Sequence, residues 1–135
     1  MARDHESQLA KRLRKLTDFD YSPHWGEVWG TGPCCLLTWG SAAGAVREAA
    51  ERLTAAGQAT RAVALRLIAP LPHRDLAQAL AGATSIVVVE QNQGGQLFRY
   101  LHAERALPAW ARSLARPGPL PLRPGEIVHA CREGN

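Results

Sequence analysis

The chain has 135 residues, the size of one compact domain, and its hydrophobic and charged fractions, 46% and 21%, indicate a globular rather than a disordered protein. No apolar run is long enough to cross a bilayer, and the first residues lack the apolar core of a signal peptide, so we expect a cytoplasmic protein that does not engage a membrane. The formal net charge is +4, with basic residues gathered near the start. Because no aromatic residues are interleaved with them, a solvated or docking face is favoured and nucleic-acid binding is not expected.

An apolar stripe predicts a helix over residues 4–16. The stripe residues fall at spacings of four and three and are Leu9, Leu13 and Leu16. The stretch that follows, up to residue 33, is rich in proline and glycine, which indicates an irregular connector. The aromatic side chains that could anchor this connector are Phe19, Tyr21, Trp25 and Trp29. The leucine stripe needs another apolar surface on which to pack.

Strand and helix patterns alternate from residue 34 to the end, which predicts an α/β fold with a mostly parallel sheet. The predicted strands cover residues 34–39, 61–68 and 85–90, and the predicted helices cover residues 42–56, 72–82 and 96–105. Residues 110–115 fit either a helical turn or a short edge strand. A last short helix is predicted to begin at Pro124, a residue that suits the first position of a helix.

Two predicted strands end in polar, glycine-containing turns, the position at which open α/β sheets usually meet ligands and partners. The candidate ligand or interface residues at these ends are Gly40, Ser41, Glu90, Asn92, Gly95 and Gln96. Ser41 lies where a strand meets a helix, and its capping of that helix is favoured over the binding of an anion. Glu90 and Asn92 could contact a substrate or a neighbouring domain, but satisfying local backbone groups and capping the next helix is the favoured interpretation.

The chain carries three cysteines and five histidines, but none of them forms a metal-ligand pattern. Cys34 and Cys35 are adjacent in a predicted strand, so their side chains point to opposite faces of the sheet. We therefore expect buried, inert thiols, no metal site and no catalytic residue in this chain.

Six short segments occur in an order that resembles one family. The segments are TWGS at 38–41, EA at 48–49, RLIAPLP at 66–72, VVVEQN at 87–92, GQL at 95–97 and PGEI at 124–127. Together they resemble the C-terminal domain of the alpha subunit of 2-oxoacid:ferredoxin oxidoreductases of the 2-oxoglutarate synthase type. Residues 1–33 resemble the basic helix and connector that precede this domain.

The resemblance implies a transketolase C-terminal-like domain over residues 34–135, with three layers, helices on both faces of the sheet, and a strand at residues 110–115. It also implies a fragment or domain of an enzyme that oxidatively decarboxylates a 2-oxoacid to acyl-CoA and passes electrons to ferredoxin. In that family thiamine diphosphate, magnesium and iron-sulfur clusters are held by other domains. This chain alone would then bind no cofactor and be inactive, and would contribute assembly and interfaces.

The expected partners are the cofactor-carrying domains or the beta subunit, with ferredoxin an indirect partner. The resemblance implies that these partners bury the candidate interface residues Leu9, Leu13, Leu16, Trp25 and Trp29. Which 2-oxoacid is used stays open, and a pyruvate or branched-chain system fits as well. The alternative, from another class of protein, is a stand-alone small-ligand or nucleotide-binding α/β module that uses Gly40, Ser41 and residues 92–96.

Overall fold

A five-stranded sheet forms the centre of the computed structural model, which describes residues 2–18 and 24–133. Its strands are β1 (Gly26–Trp29), β2 (Cys34–Trp39), β3 (Thr60–Leu65), β4 (Ser85–Glu90) and β5 (Arg112–Ala115). The strand order across the sheet is β1-β3-β2-β4-β5, with β1 antiparallel to β3 and all other pairs parallel. The predicted mostly parallel α/β sheet is confirmed.

Within residues 2–18 and 24–133, five helices surround or precede the sheet. They are α1 (Ala2–Asp18), α2 (Ala43–Ala55), α3 (His73–Leu80), α4 (Gln96–Ala103) and α5 (Pro124–Glu133), and a single 3-10 turn, Gly40–Ala42, opens α2. Helices α3 and α4 share one buried cluster with Leu37 and Val88, whereas α2 and α5 share another with Leu36 and Val89. Because neighbouring strand residues face opposite sides, the sheet lies between two helical layers, as predicted.

The prediction of irregular backbone up to residue 33 was wrong for Gly26–Trp29, which forms the edge strand β1. This strand pairs with β3 in a register that sets Gly26 opposite Leu65. A Cβ atom at Gly26 would lie 2.5 Å from the Ala64 carbonyl oxygen, so glycine permits the close approach of the two backbones. Four residues are too few to show a clear alternation, and the surrounding glycines indicate a loop.

Two tryptophans of the predicted connector pack within this domain. Trp25 is partly buried against the cluster that includes Leu37, and Trp29 is partly buried against the cluster that includes Leu36. The guanidinium of Arg47 lies over the Trp29 ring, 5.2 Å from its centroid. Their role as interface residues, like the domain division at residue 33, stays a prediction.

The first helix forms as the leucine spacing predicts. All side chains described for residues 3–15 are exposed, with Leu9 at 49% and Leu13 at 62% exposure. The side chain of Leu16 and the aromatic residues Phe19 and Tyr21 lie outside the described residues. In the parts of the chain that the structure describes, no helix is long and apolar enough to cross a membrane.

Replacing Trp25 and Trp29 together with alanine should lower the free energy of unfolding by about 3 kcal/mol, because both rings fill space against the core clusters. Chemical denaturation of the double variant measures this loss. Trp110→Ala is the matched control, since that ring is 52% exposed and its removal should cost less than about 1 kcal/mol. Equal losses in the two variants would contradict the packing role of Trp25 and Trp29.

Candidate functional site

The carboxyl ends of β2, β3 and β4 lie at one edge of the sheet because these strands run parallel. The chain moves from β2 to β3 on one side and then crosses to β4 on the other, so the strand order reverses between β2 and β4. In open α/β sheets such a switch point leaves a crevice in which ligands bind. Thr38 bridges the two strands there, since its buried hydroxyl donates a hydrogen bond to the Val89 carbonyl oxygen at 2.7 Å.

The carboxylate of Glu90, at the end of β4, is 1% exposed and is fully used within the chain. Its Oε1 accepts hydrogen bonds from the Leu97 backbone N–H at 2.6 Å and from the Asn92 side-chain amide at 2.8 Å. Its Oε2 accepts a bond from the Phe98 backbone N–H at 3.0 Å. A negative charge at a helix N-terminus is stabilised by free N–H groups and by the helix dipole. Glu90 therefore holds the start of α4.

Asn92 closes the turn between β4 and α4. Its Oδ1 accepts hydrogen bonds from the backbone N–H groups of Gly94, Gly95 and Gln96, at 3.1, 2.8 and 3.4 Å. Gly95 has φ 59°, in the left-handed region that glycine adopts without steric cost. These contacts are the local backbone contacts that the sequence favoured, and Gln96 begins the helix at an exposed position.

Gln91 ties the same turn to the proline-rich loop between β5 and α5. Its Nε2 donates hydrogen bonds to the carbonyl oxygens of Gly118 and Leu120 at 3.3 and 2.8 Å, and its Oε1 accepts one from Leu122 at 3.2 Å. Arg116 donates a further bond to the Leu120 oxygen at 3.1 Å and forms an ion pair with Glu126 on α5. Gln91 is not among the predicted site residues, because a lone glutamine in a sequence gives no signal of a distant backbone partner.

The prediction that Ser41 caps a helix was wrong. Ser41 lies inside the 3-10 turn, and the residue that precedes α2 is Ala42, so no side chain makes the cap hydrogen bond. Gly40 has φ 67°, which turns the chain sharply as it leaves β2. The turn displaces the serine by one residue from the position at which a side-chain oxygen could reach the free N–H groups of α2.

The two strand ends enclose connected cavities. One, of about 220 Å³, is lined by Trp39, Gly40, Ser41, Ala42, Gln91 and Asn92. A second, of about 420 Å³, shares Ser41, Ala42 and Gln91 with the first and extends to Leu122. Of the predicted site residues, the structure thus brings Gly40, Ser41 and Asn92 together, whereas Glu90 is buried below them.

The two buried thiols, Cys35 and Cys131, do not converge on one site. Cys35 and Cys131 are buried on opposite faces of the sheet, in the clusters of Leu37 and Leu36, respectively. Burial raises the pKa of both thiols, that of Cys35 to about 12. Among the described residues, no group of three or more His, Cys, Asp or Glu side chains could hold a metal ion.

Comparison with known proteins identifies the family. Residues 34–108 match the model of pyruvate:ferredoxin oxidoreductase core domain II. The chain belongs to this family. It is 31% identical over 98 residues to the 2-oxoacid:ferredoxin oxidoreductase subunit alpha of Saccharolobus solfataricus, and 35% identical over 72 residues to subunit alpha of oxidoreductase 2 of Aeropyrum pernix. These matches cover 69% and 53% of this chain but only 16% and 11% of the relatives.

Solved structures agree with this assignment. A 2-oxoglutarate:ferredoxin oxidoreductase from Magnetococcus marinus, solved with 2-oxoglutarate, coenzyme A and succinyl-CoA bound, matches with TM-score 0.79 and 32% identity over 98% of this chain and 23% of its own. A split-gene transketolase shares the fold, with TM-score 0.65 and 18% identity over 86% of this chain and 44% of its own. The domain is homologous to the alpha subunit of 2-oxoacid:ferredoxin oxidoreductases and has a transketolase-like fold.

Glu90→Gln should lower the free energy of unfolding of this core domain II by about 2 kcal/mol, because an amide retains one acceptor where the carboxylate uses two. Chemical denaturation measures the loss. Glu51→Gln is the matched control, since Glu51 makes only an exposed ion pair with Arg47 and should cost less than about 0.5 kcal/mol. A loss at Glu90 as small as that of the control would show that its carboxylate does not hold α4.

The stability of the domain should depend on pH through Cys35, whose thiol pKa is raised by burial from 9.0 to about 12. Above pH 9.0 the unfolded chain loses this proton while the folded chain keeps it. The contribution of Cys35 to the free energy of unfolding is therefore complete below pH 9.0 and falls as the pH rises toward 12. In that pH range the free energy of unfolding of the parent should fall by up to about 1.4 kcal/mol per pH unit relative to that of Cys35→Ala. Denaturation curves of both proteins between about pH 8 and 11 measure the difference, and equal slopes would contradict it.

Proposed function

We propose that this chain acts as the core domain II of a 2-oxoacid:ferredoxin oxidoreductase alpha subunit and contributes assembly and interfaces rather than catalysis. The observation that carries the proposal is the match of 98% of the chain, at TM-score 0.79, to 23% of a solved 2-oxoglutarate:ferredoxin oxidoreductase chain. The assembled enzyme would oxidatively decarboxylate a 2-oxoacid to acyl-CoA and reduce ferredoxin. Its location would be cytoplasmic.

The cofactors of such an enzyme would be held by partner domains or by a beta subunit. Among the described residues, no group of three or more His, Cys, Asp or Glu side chains could hold magnesium or an iron-sulfur cluster, and the buried thiols of Cys35 and Cys131 lie on opposite faces of the sheet. The polar groups at the end of β4 are also occupied, since Glu90 and Asn92 bind this chain's own backbone.

The exposed leucines of α1 form a candidate contact with these partners. Leu9 and Leu13 are 49% and 62% exposed one helical turn apart, and burial of such an apolar stripe is favourable when another surface covers it. Trp25 and Trp29 are less suited to this role because they already pack on the domain's own clusters.

The proposal is tested by purifying a tagged copy gently from its own host and measuring native mass and cofactor content. We expect a complex several times heavier than the 14.6 kDa chain that contains thiamine diphosphate and iron-sulfur clusters. A tagged copy recovered only as a monomer or homodimer without cofactor contradicts the assignment to an assembled oxidoreductase.

A second candidate function, a small-ligand or nucleotide-binding module, is favoured by the connected cavities at Ser41 and Gln91. A ligand that binds only the folded state raises the apparent melting temperature. Under the assembly proposal, a panel of nucleotides, coenzyme A and 2-oxoacids should leave the melting temperature of the isolated chain unchanged. An increase with one member of the panel would favour the binding module.

A further inference from the structure

The carboxyl edge of the sheet presents exposed apolar side chains on a fixed backbone. Trp39 is 42% exposed at the end of β2, and Leu120 is 64% exposed in the loop between β5 and α5. The Leu120 carbonyl oxygen is held by both Gln91 and Arg116, at 2.8 and 3.1 Å. A surface that is fixed before a partner arrives loses less conformational entropy on binding, and tryptophan is enriched among the residues that carry binding energy.

Trp39 stands between two cavities of different character. On one side lies the cavity that it shares with Gly40 and Asn92. On the other side lies a cavity of about 150 Å³, lined by Trp39, Ile68, Gln96, Leu97 and Tyr100. An apolar cavity near 150 Å³ accommodates one aromatic ring of the size of benzene. The second cavity is therefore large enough for one apolar side chain of a partner.

The wall opposite Trp39 is also held in place. The Tyr100 hydroxyl on α4 donates a hydrogen bond to the Ile68 carbonyl oxygen at 2.8 Å, which fixes the turn after β3 against that helix. Leu97, which also lines this cavity, is 3% exposed and belongs to the core, so this part of the lining is held in place as well. A preformed apolar cavity next to an exposed indole suits a side chain that enters from outside.

We propose that this edge, from the cavity beside Trp39 to Leu120, is the docking surface for the remaining polypeptide of the same oxidoreductase, which inserts one apolar side chain beside Trp39. The inference rests on the proposed function and adds the face of the domain and the chemistry of the contact. The match of 98% of this chain to only 23% of a solved relative leaves most of such an enzyme outside this domain.

The position of the family segments also identifies the occupant. Of the ten residues that line the two cavities beside Trp39, all but Ala42 and Tyr100 belong to TWGS at 38–41, RLIAPLP at 66–72, VVVEQN at 87–92 and GQL at 95–97, segments by which this chain resembles the alpha subunit. A surface built from these segments fits an occupant that the family shares, which favours the rest of the oxidoreductase over a ligand particular to this chain.

The test compares Trp39→Ala with Trp110→Ala in the tagged protein purified from its own host. Trp110 is the matched control because it is 52% exposed and precedes the first residue of β5, at the amino edge of the sheet. We expect Trp39→Ala to lower the share of the chain recovered in the oxidoreductase complex at least tenfold, and Trp110→Ala to lower it less than twofold, with both melting temperatures near that of the parent.

A chemical footprint on the unaltered protein gives an independent measurement if Trp39→Ala folds poorly. Trp39 should be protected from oxidation by N-bromosuccinimide in the complex relative to the isolated chain, while Trp110 should react equally in both. Equal reaction of Trp39 in complex and isolated chain would overturn the docking surface.

The remaining outcomes separate the two proposals. If the parent forms the complex and Trp39→Ala forms it equally well, or if both variants lose it equally, the docking surface is wrong and the assembly function stands. If the parent forms no complex with an oxidoreductase, both proposals fail. A homodimer that Trp39→Ala abolishes, or a nucleotide whose stabilising effect it abolishes, would assign the edge to that occupant instead.

Discussion

The buried carboxylate of Glu90 is the contact on which the carboxyl edge of this domain depends. A charge that is 1% exposed is costly unless hydrogen bonds replace its water, and two backbone N–H groups of α4 and the Asn92 amide supply them. This arrangement sets where α4 begins, and so places Leu97 and Leu101 in the core against β4. The hydrogen bonds of the Glu90 carboxylate and the packing of the two leucines therefore depend on each other, because both depend on the turn that joins β4 to α4.

The same turn also fixes the neighbouring proline-rich loop at this edge of the sheet. Gln91 is held between Glu90 and Asn92, and from there it reaches three backbone groups of the proline-rich loop. That loop has few backbone donors of its own, because proline has no N–H, so side-chain bonds from neighbouring segments replace a regular hydrogen-bond ladder. Arg116 completes the attachment through its ion pair with Glu126. The edge is thus built largely from side-chain contacts to backbone, which fixes its shape without regular secondary structure.

Much of the fold follows from the sequence because the buried strands carry strong local signals. The apolar runs of β2 and β4 were placed at their observed bounds, since strands buried on both faces need apolar residues at every position. The edge strand β1 was missed because its partner β3 lies about 35 residues away in the chain and no local pattern reports that pairing. The helix cap predicted at Ser41 was wrong for a related reason. The left-handed backbone of Gly40 shifts the start of α2 by one residue, and the sequence alone does not reveal this conformation.

Three tryptophans show why the exposure of single side chains is harder to predict than the position of a strand. Trp25 and Trp29 lie in a glycine-rich segment, and both are partly buried against the core of this domain, a packing that the local sequence does not indicate. Trp39 belongs to an apolar strand, but the strand ends with it and leaves its ring 42% exposed beside a cavity. Exposure of a large ring depends on where a strand stops relative to the helices that cover it, and that is a property of the tertiary structure. Because the strand stops at the switch point of the sheet, Trp39 is exposed at the position where the topology itself opens a crevice.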